Sequence, residues 1–132
     1  MTDDDFLAQV LDRHLVAVKA FHHGDVGPWR ELWARGEPIT LYPPGRPPAI
    51  GIEQVVTTFE RASARLSQGA DAEFEVHHVE VGGDVGVLTG LERSAFSVEG
   101  GPVQPQTLRV TLVYRREDGV WRMVHRHADG PV

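Results

Sequence analysis

The stretch Gly119-Val120-Trp121-Arg122-Met123-Val124-His125-Arg126-His127-Ala128-Asp129 decides how this chain folds. Taken with period two, Trp121, Met123, His125 and His127 share one face, while Arg122, Val124 and Arg126 share the other. The first face begins apolar and ends in two imidazoles. A strand that only fills a core has no use for that ending. The pattern predicts one wall of a cavity, apolar at its closed end and polar where a ligand sits.

The turn before this strand sets an expected register. Asp118-Gly119 suits a two-residue hairpin turn that pairs Glu117 with Val120. Tyr114 then lies opposite Met123, Leu112 opposite His125 and Val110 opposite His127, so both histidines are expected to point inward.

Period two extends back to residue 71, giving strands at 72–81, 85–97, 106–116 and 120–128. Gly82-Gly83, a Gly/Pro loop at 98–105 and Asp118-Gly119 separate them. Upstream the period is helical. Phe6, Leu7, Val10, Leu11, Leu15, Val18 and Phe21 mark a long amphipathic helix, with Thr2 and three aspartates at its positive end and Gly24 as its stop. Pro28 opens a short helix that carries Trp29, Leu32 and Trp33 and stops near Gly36. Ile39-Thr40-Leu41-Tyr42 is a short strand, and Pro43-Pro44-Gly45-Arg46-Pro47-Pro48 a stiff loop. A third helix follows Gly51, turns Ile52, Val55, Val56, Phe59 and Leu66 inward and ends at Gly69. Three helices followed by a meander predict an α+β fold in a single domain over 1–132, the helices packed on a strongly curved antiparallel sheet.

A chain of 132 residues can bury roughly two-thirds of its unfolded surface in one core. Without cysteine it has no disulfide, thiolate nucleophile, iron–sulfur cluster or cysteine-rich zinc site. A net charge of −6 argues against a nucleic-acid partner. Met1-Thr2-Asp3-Asp4-Asp5 is acidic where a signal peptide is basic, and no apolar run reaches bilayer length. A cytoplasmic protein without membrane association is expected.

The order of elements resembles the nuclear transport factor 2-like superfamily, and its SnoaL-like branch in particular. Gly51-Ile52-Glu53-Gln54-Val55, Leu108-Arg109-Val110-Thr111-Leu112-Val113 and the closing Asp118–His127 segment carry the resemblance. The same ending is similar to the association domain of calcium/calmodulin-dependent kinases, an oligomerisation module. The resemblance implies a cone: a bent sheet wraps the long helix and leaves an internal cavity open at one end. It also implies a choice among cofactor-free isomerases, polyketide cyclases, dehydratases and other lyases, epoxide hydrolases and pure binding modules, which the fold alone does not decide.

His125 is the leading candidate for a general base, because imidazole works near neutral pH with little tuning. The competing role for His125 and His127 is purely structural, hydrogen-bonded to neighbours. The His-x-His pair has no third ligand at a recognisable spacing, so neither a metal nor any other cofactor is expected. Glu92 falls on the cavity side by comparison with the kinase association domain. A turn at Gly82-Gly83 would instead put Val87, Thr89 and Leu91 inside and Glu92 out, with Arg93 taking its place. The inward placement is followed here, with His125 as the partner a buried carboxylate needs.

Tyr42, at the Pro-rich loop, could donate to a carbonyl or enolate oxygen. Trp29, Trp33, Phe59, Leu112, Tyr114 and Met123 are expected to form the apolar walls. His22-His23, at a helix end, is assigned a structural role. His77-His78 sends one ring to each side of its strand. Arg109, Thr111, Val113 and Arg115 make a mixed outer face suited to a sheet-to-sheet homodimer. These features predict a cofactor-independent isomerase, cyclase or dehydratase acting on a small apolar or aromatic carbonyl compound. His125 would take the proton, Glu92 orient its ring, and His127 or Tyr42 hold the enolate oxygen. A non-catalytic ligand-binding or oligomerisation module is the first alternative. A hydratase or hydrolase that activates water is the second.

Overall fold

The computed structural model describes residues 1–132. Helix α1 spans Asp3–His22, α2 Gly27–Leu32 and α3 Ile52–Ala64. The strands are β1 Thr40–Tyr42, β2 Ala49–Ile50, β3 Leu66–Ser67, β4 Glu73–Gly82, β5 Val85–Val98, β6 Gln104–Glu117 and β7 Val120–Asp129. The sheet runs β2-β1-β7-β6-β5-β3, with β4 also on β5. The three helices pack on this strongly curled sheet, giving the cone that the resemblance implied. No helix is long and apolar enough to cross a membrane.

Local chemistry explains α1. The Thr2 hydroxyl accepts from the Asp5 backbone N–H at 3.1 Å, and the Asp5 carboxylate accepts from the Thr2 N–H at 3.2 Å. This reciprocal cap satisfies two donors at the exposed helix end. Phe6, Val10, His14, Ala17, Val18 and His22 form its buried stripe. Phe6 sits edge-on to Tyr114 at 5.6 Å and to Trp121 at 4.9 Å, closing the narrow end of the cone.

Several details of the elements differ from expectation. The turn between β4 and β5 is Gly83-Asp84, since Gly82 pairs with Val85, and Ala49–Ile50 adds the short strand β2 beside β1. The sheet is mixed, because β1 lies parallel to β7, pairing Thr40 with His125 and Tyr42 with His127. Helix α3 ends at Ala64, short of Gly69. Leu66, expected on the helix, pairs instead with Val98 in β3, where the edge of β5 offers free backbone groups.

Two β-bulges then decide which side chains enter the cone. In β4 the register shifts between Val76 and His78. Phe74 and Val76 therefore face inward together with Glu92 and Gly90, while Leu91, Thr89 and Val87 face out. Gly90 is required beside this bulge, since a Cβ there would lie 1.9 Å from the Glu75 carbonyl oxygen. The second bulge is at Val124. Tyr114 pairs with Met123 as expected, but Val113 pairs with His125, Leu112 with Arg126 and Thr111 with His127. One extra residue reverses the parity of everything after it. Arg126 and Ala128 turn inward, and both histidines turn out.

Candidate active site

The inner sheet face has a readable layout. Leu88, Leu112 and Arg126 form one cross-strand row, Gly90, Val110 and Ala128 the next, and Glu92 with Leu108 the row beyond. Arg126 must cross the middle row to reach Glu92, and that row is made of small residues. The guanidinium thus lies along the sheet and forks onto the carboxylate, Nη1 to Oε2 at 3.0 Å and Nη2 to Oε1 at 2.8 Å. From α1, His14 completes the cluster with its Nε2 at 2.7 Å from Oε2. Since an ionised carboxylate only accepts, His14 Nε2 carries the proton. Trp29 covers the arginine, its ring centroid 5.1 Å from the guanidinium carbon.

His14, Glu92 and Arg126 are 0%, 2% and 8% exposed, so this is a charge cluster inside the protein. Burial alone would raise the Glu92 pKa. The Arg126 charge and the His14 and Arg126 hydrogen bonds outweigh it and hold the carboxyl well below its ordinary range. Glu92 is therefore a permanent anion that neutralises and aims its partners. It is not a proton acceptor.

The cavity above this cluster measures about 330 Å³ and opens beside the Pro-rich loop. Val18, Phe21, Trp29, Leu41, Phe59 and Leu108 provide its apolar lining, and His22, Glu92 and Arg126 its polar floor. His22 stacks on Phe96 with ring centroids 4.1 Å apart, and its buried Nδ1 has no hydrogen-bond partner. Burial lowers its pKa to about 4, against a smaller upward pull from Glu92, with Arg126 adding a downward one. At neutral pH the ring is uncharged.

The residues picked from sequence divide into three places. Glu92 lies inside, although its partners are Arg126 and His14, and the expected His125 contact is absent. Trp29 and Phe59 line the cavity. Trp33 is buried behind Phe59, 6.5 Å between centroids, while Leu112, Tyr114 and Met123 fill the closed end of the core. None of these last four reaches the cavity wall.

His125, His127 and Tyr42 form the third group, on the outer face of the sheet. Tyr42 stands edge-on to His125 at 4.9 Å and to His127 at 5.5 Å, and His125 Nδ1 is 2.7 Å from the Thr40 hydroxyl. The bulge at Val124 turns His125 and His127 out of the cone, and Tyr42 lies outside because its neighbour Leu41 takes the inward position on β1. No group of three His, Asp or Glu side chains is placed to hold a metal ion. His22, read as structural, lies in the cavity, and His14 and Arg126 were missed. His14 did leave a signal, a polar residue one helical turn from both Val10 and Val18 on the apolar stripe. Arg126 left none, because a bulge has no composition signature here.

Comparison with known proteins agrees with this architecture. A structure from Streptomyces avermitilis, provisionally described as a dehydratase of the nuclear transport factor 2-like family, superposes with a TM-score of 0.77 at 24% identity, covering 98% of each chain. A ketosteroid isomerase-like protein from Erwinia carotovora atroseptica gives 0.74 at 17% identity and 96% of each chain. A calcium/calmodulin-dependent protein kinase type II association domain from Thiobacillus denitrificans, also provisionally described, gives 0.69 at 21% identity, covering 92% of this chain and 90% of that one. At such identities the likeness shows the fold alone. No curated protein matches. The SnoaL-like domain family matches residues 10–131, and the chain belongs to that family.

Proposed function

We propose that this protein is a cofactor-independent enzyme of the isomerase or dehydratase kind, acting on a small, mostly apolar carbonyl compound held in the cone. One observation carries it: a neutral imidazole, His22, faces the same cavity as an arginine whose charge is already balanced. Glu92 occupies one N–H on each terminal nitrogen of Arg126. The remaining guanidinium N–H groups can donate to a substrate carbonyl. As a proton leaves the adjacent carbon for His22, charge develops on that oxygen and the donors already in place stabilise it.

A pKa near 4 makes His22 a weak base toward water but keeps it unprotonated at neutral pH. The growing enolate charge in the same cavity raises its proton affinity during transfer. Returning the proton at another carbon gives isomerisation. Expelling a β-hydroxyl group as water gives dehydration. Neither route needs a metal or an organic cofactor.

Substituted phenols test this as enolate mimics, their ionisation followed by ultraviolet absorption. The cavity should favour the bound phenolate, lowering the phenol pKa, and Arg126→Lys should weaken that effect. Phenols that bind without any change in ionisation would support a non-catalytic binding module.

A further inference from the structure

A second groove, of about 350 Å³, opens directly onto the mouth of the cavity; the two share Pro43, Arg46, Thr58, Ala62 and Arg65. Arg61 completes its wall, and no carboxylate lines it. This concentration of arginine is out of character for a chain of net charge −6. Of the 13 lysines and arginines, ten pair with a carboxylate. Arg13 holds the Trp121 carbonyl. The two cations left without a partner are Arg46 and Arg61, and both face this one groove.

The third arginine is only partly engaged. Arg65 uses Nε on Glu99 at 2.7 Å, which leaves its terminal N–H groups free. Arg61 and Arg65 stand four residues apart at the end of α3, a like-charge spacing that disfavours the helix unless something neutralises it. The helix dipole offsets part of that repulsion. It does not explain Arg46, which comes from a different segment. Four prolines, Pro43, Pro44, Pro47 and Pro48, stiffen that segment and so fix the arginine at the rim at little entropic cost.

We infer that the substrate carries an anionic end, a carboxylate or a phosphate, held at the mouth by Arg46, Arg61 and Arg65 while its carbonyl reaches Arg126. The Thr58 hydroxyl, in the shared wall, is a further donor for such an anion. The ligand is thus amphipathic: a reactive carbonyl inside, an apolar body between the aromatic walls, and a charged group outside. This rests on the cavity being the binding site proposed above.

Calorimetry with a matched ligand set tests it: a medium-chain keto acid, the corresponding keto alcohol, and that alcohol's phosphate monoester. Binding of the neutral keto alcohol reports on the cavity. The gain from adding charge reports on the mouth. One or both anions should bind about tenfold tighter than the alcohol, an advantage that shrinks with added salt. Which anion gains more distinguishes carboxylate from phosphate. Arg46→Gln with Arg61→Gln, both at exposed positions, should erase that advantage, and Arg61→Gln alone, outside the cavity lining, should reduce it while leaving the alcohol's affinity unchanged. Equal binding of charged and neutral ligands, or an advantage that survives the double variant, overturns the inference while leaving the cavity intact. Failure of all three ligands to bind overturns both.

Discussion

Replacing Glu92 with Gln tests the buried cluster at its centre. The carboxylate takes three charge-assisted hydrogen bonds, two from Arg126 at 3.0 and 2.8 Å and one from His14 at 2.7 Å. Oε2 serves both His14 and Nη1, and Oε1 serves Nη2. An amide has a single acceptor oxygen, so in either orientation its NH₂ opposes at least one donor. The Arg126 charge also loses its counter-ion in a site that is 8% exposed. Breaking a buried pair from one side typically costs about 3–5 kcal/mol. A chain of this size shifts by roughly 3–5 °C per kcal/mol, so Glu92→Gln should lower Tm by about 10–20 °C in calorimetry. The double change Glu92→Leu with Arg126→Met removes both charges and should be more stable than Glu92→Gln. A Tm drop under about 3 °C for Glu92→Gln, or a double variant no better than the single, would refute the reasoning.

The pH dependence of stability isolates His22. Its folded pKa of about 4 lies below the ordinary 6.5, so the unfolded chain takes up a proton first. This contribution is complete above about pH 6.5 and lost as pH falls toward 4, about 3 kcal/mol in all. Urea unfolding between neutral pH and about pH 4 should show a smaller loss for His22→Gln than for the wild type, and equal losses would contradict it. The outer-face residues make a contrasting case. His127→Ala and Tyr42→Phe should leave ligand affinity unchanged, since neither side chain reaches the cavity, and a marked loss of binding would put that face back in the site.

Most of the fold was legible because its signals are local. Thr2, the three aspartates and a helical apolar period define α1, and alternation with turn residues defines the four long strands. Short β3 and the end of α3 were not legible, because Leu66 is pulled from a helical pattern by a free sheet edge far along the chain. The site was harder to read for a sharper reason. Alternation assigns faces only while parity holds, and the bulge at Val124 exchanges His125 and His127 for Arg126. Glu92 was placed inside by the resemblance, whereas alternation counted from Gly82-Gly83 put it outside, because the bulge between Val76 and His78 breaks parity there too. His22 was misplaced by a general rule. A cation suits a helix C-terminus, but this ring is buried and stays neutral.

The central claim is that proton transfer belongs to His22 inside the cone and not to the histidines of the closing strand. Exchange of α-protons for deuterium, followed by NMR on cavity-sized ketones, measures that transfer whatever the final reaction is. Wild-type protein should catalyse exchange, and His125→Ala should match it. His22→Ala should be slower by about 10²–10⁴-fold while remaining folded at the assay temperature. Full exchange by His22→Ala, together with its loss in His125→Ala, would contradict the account.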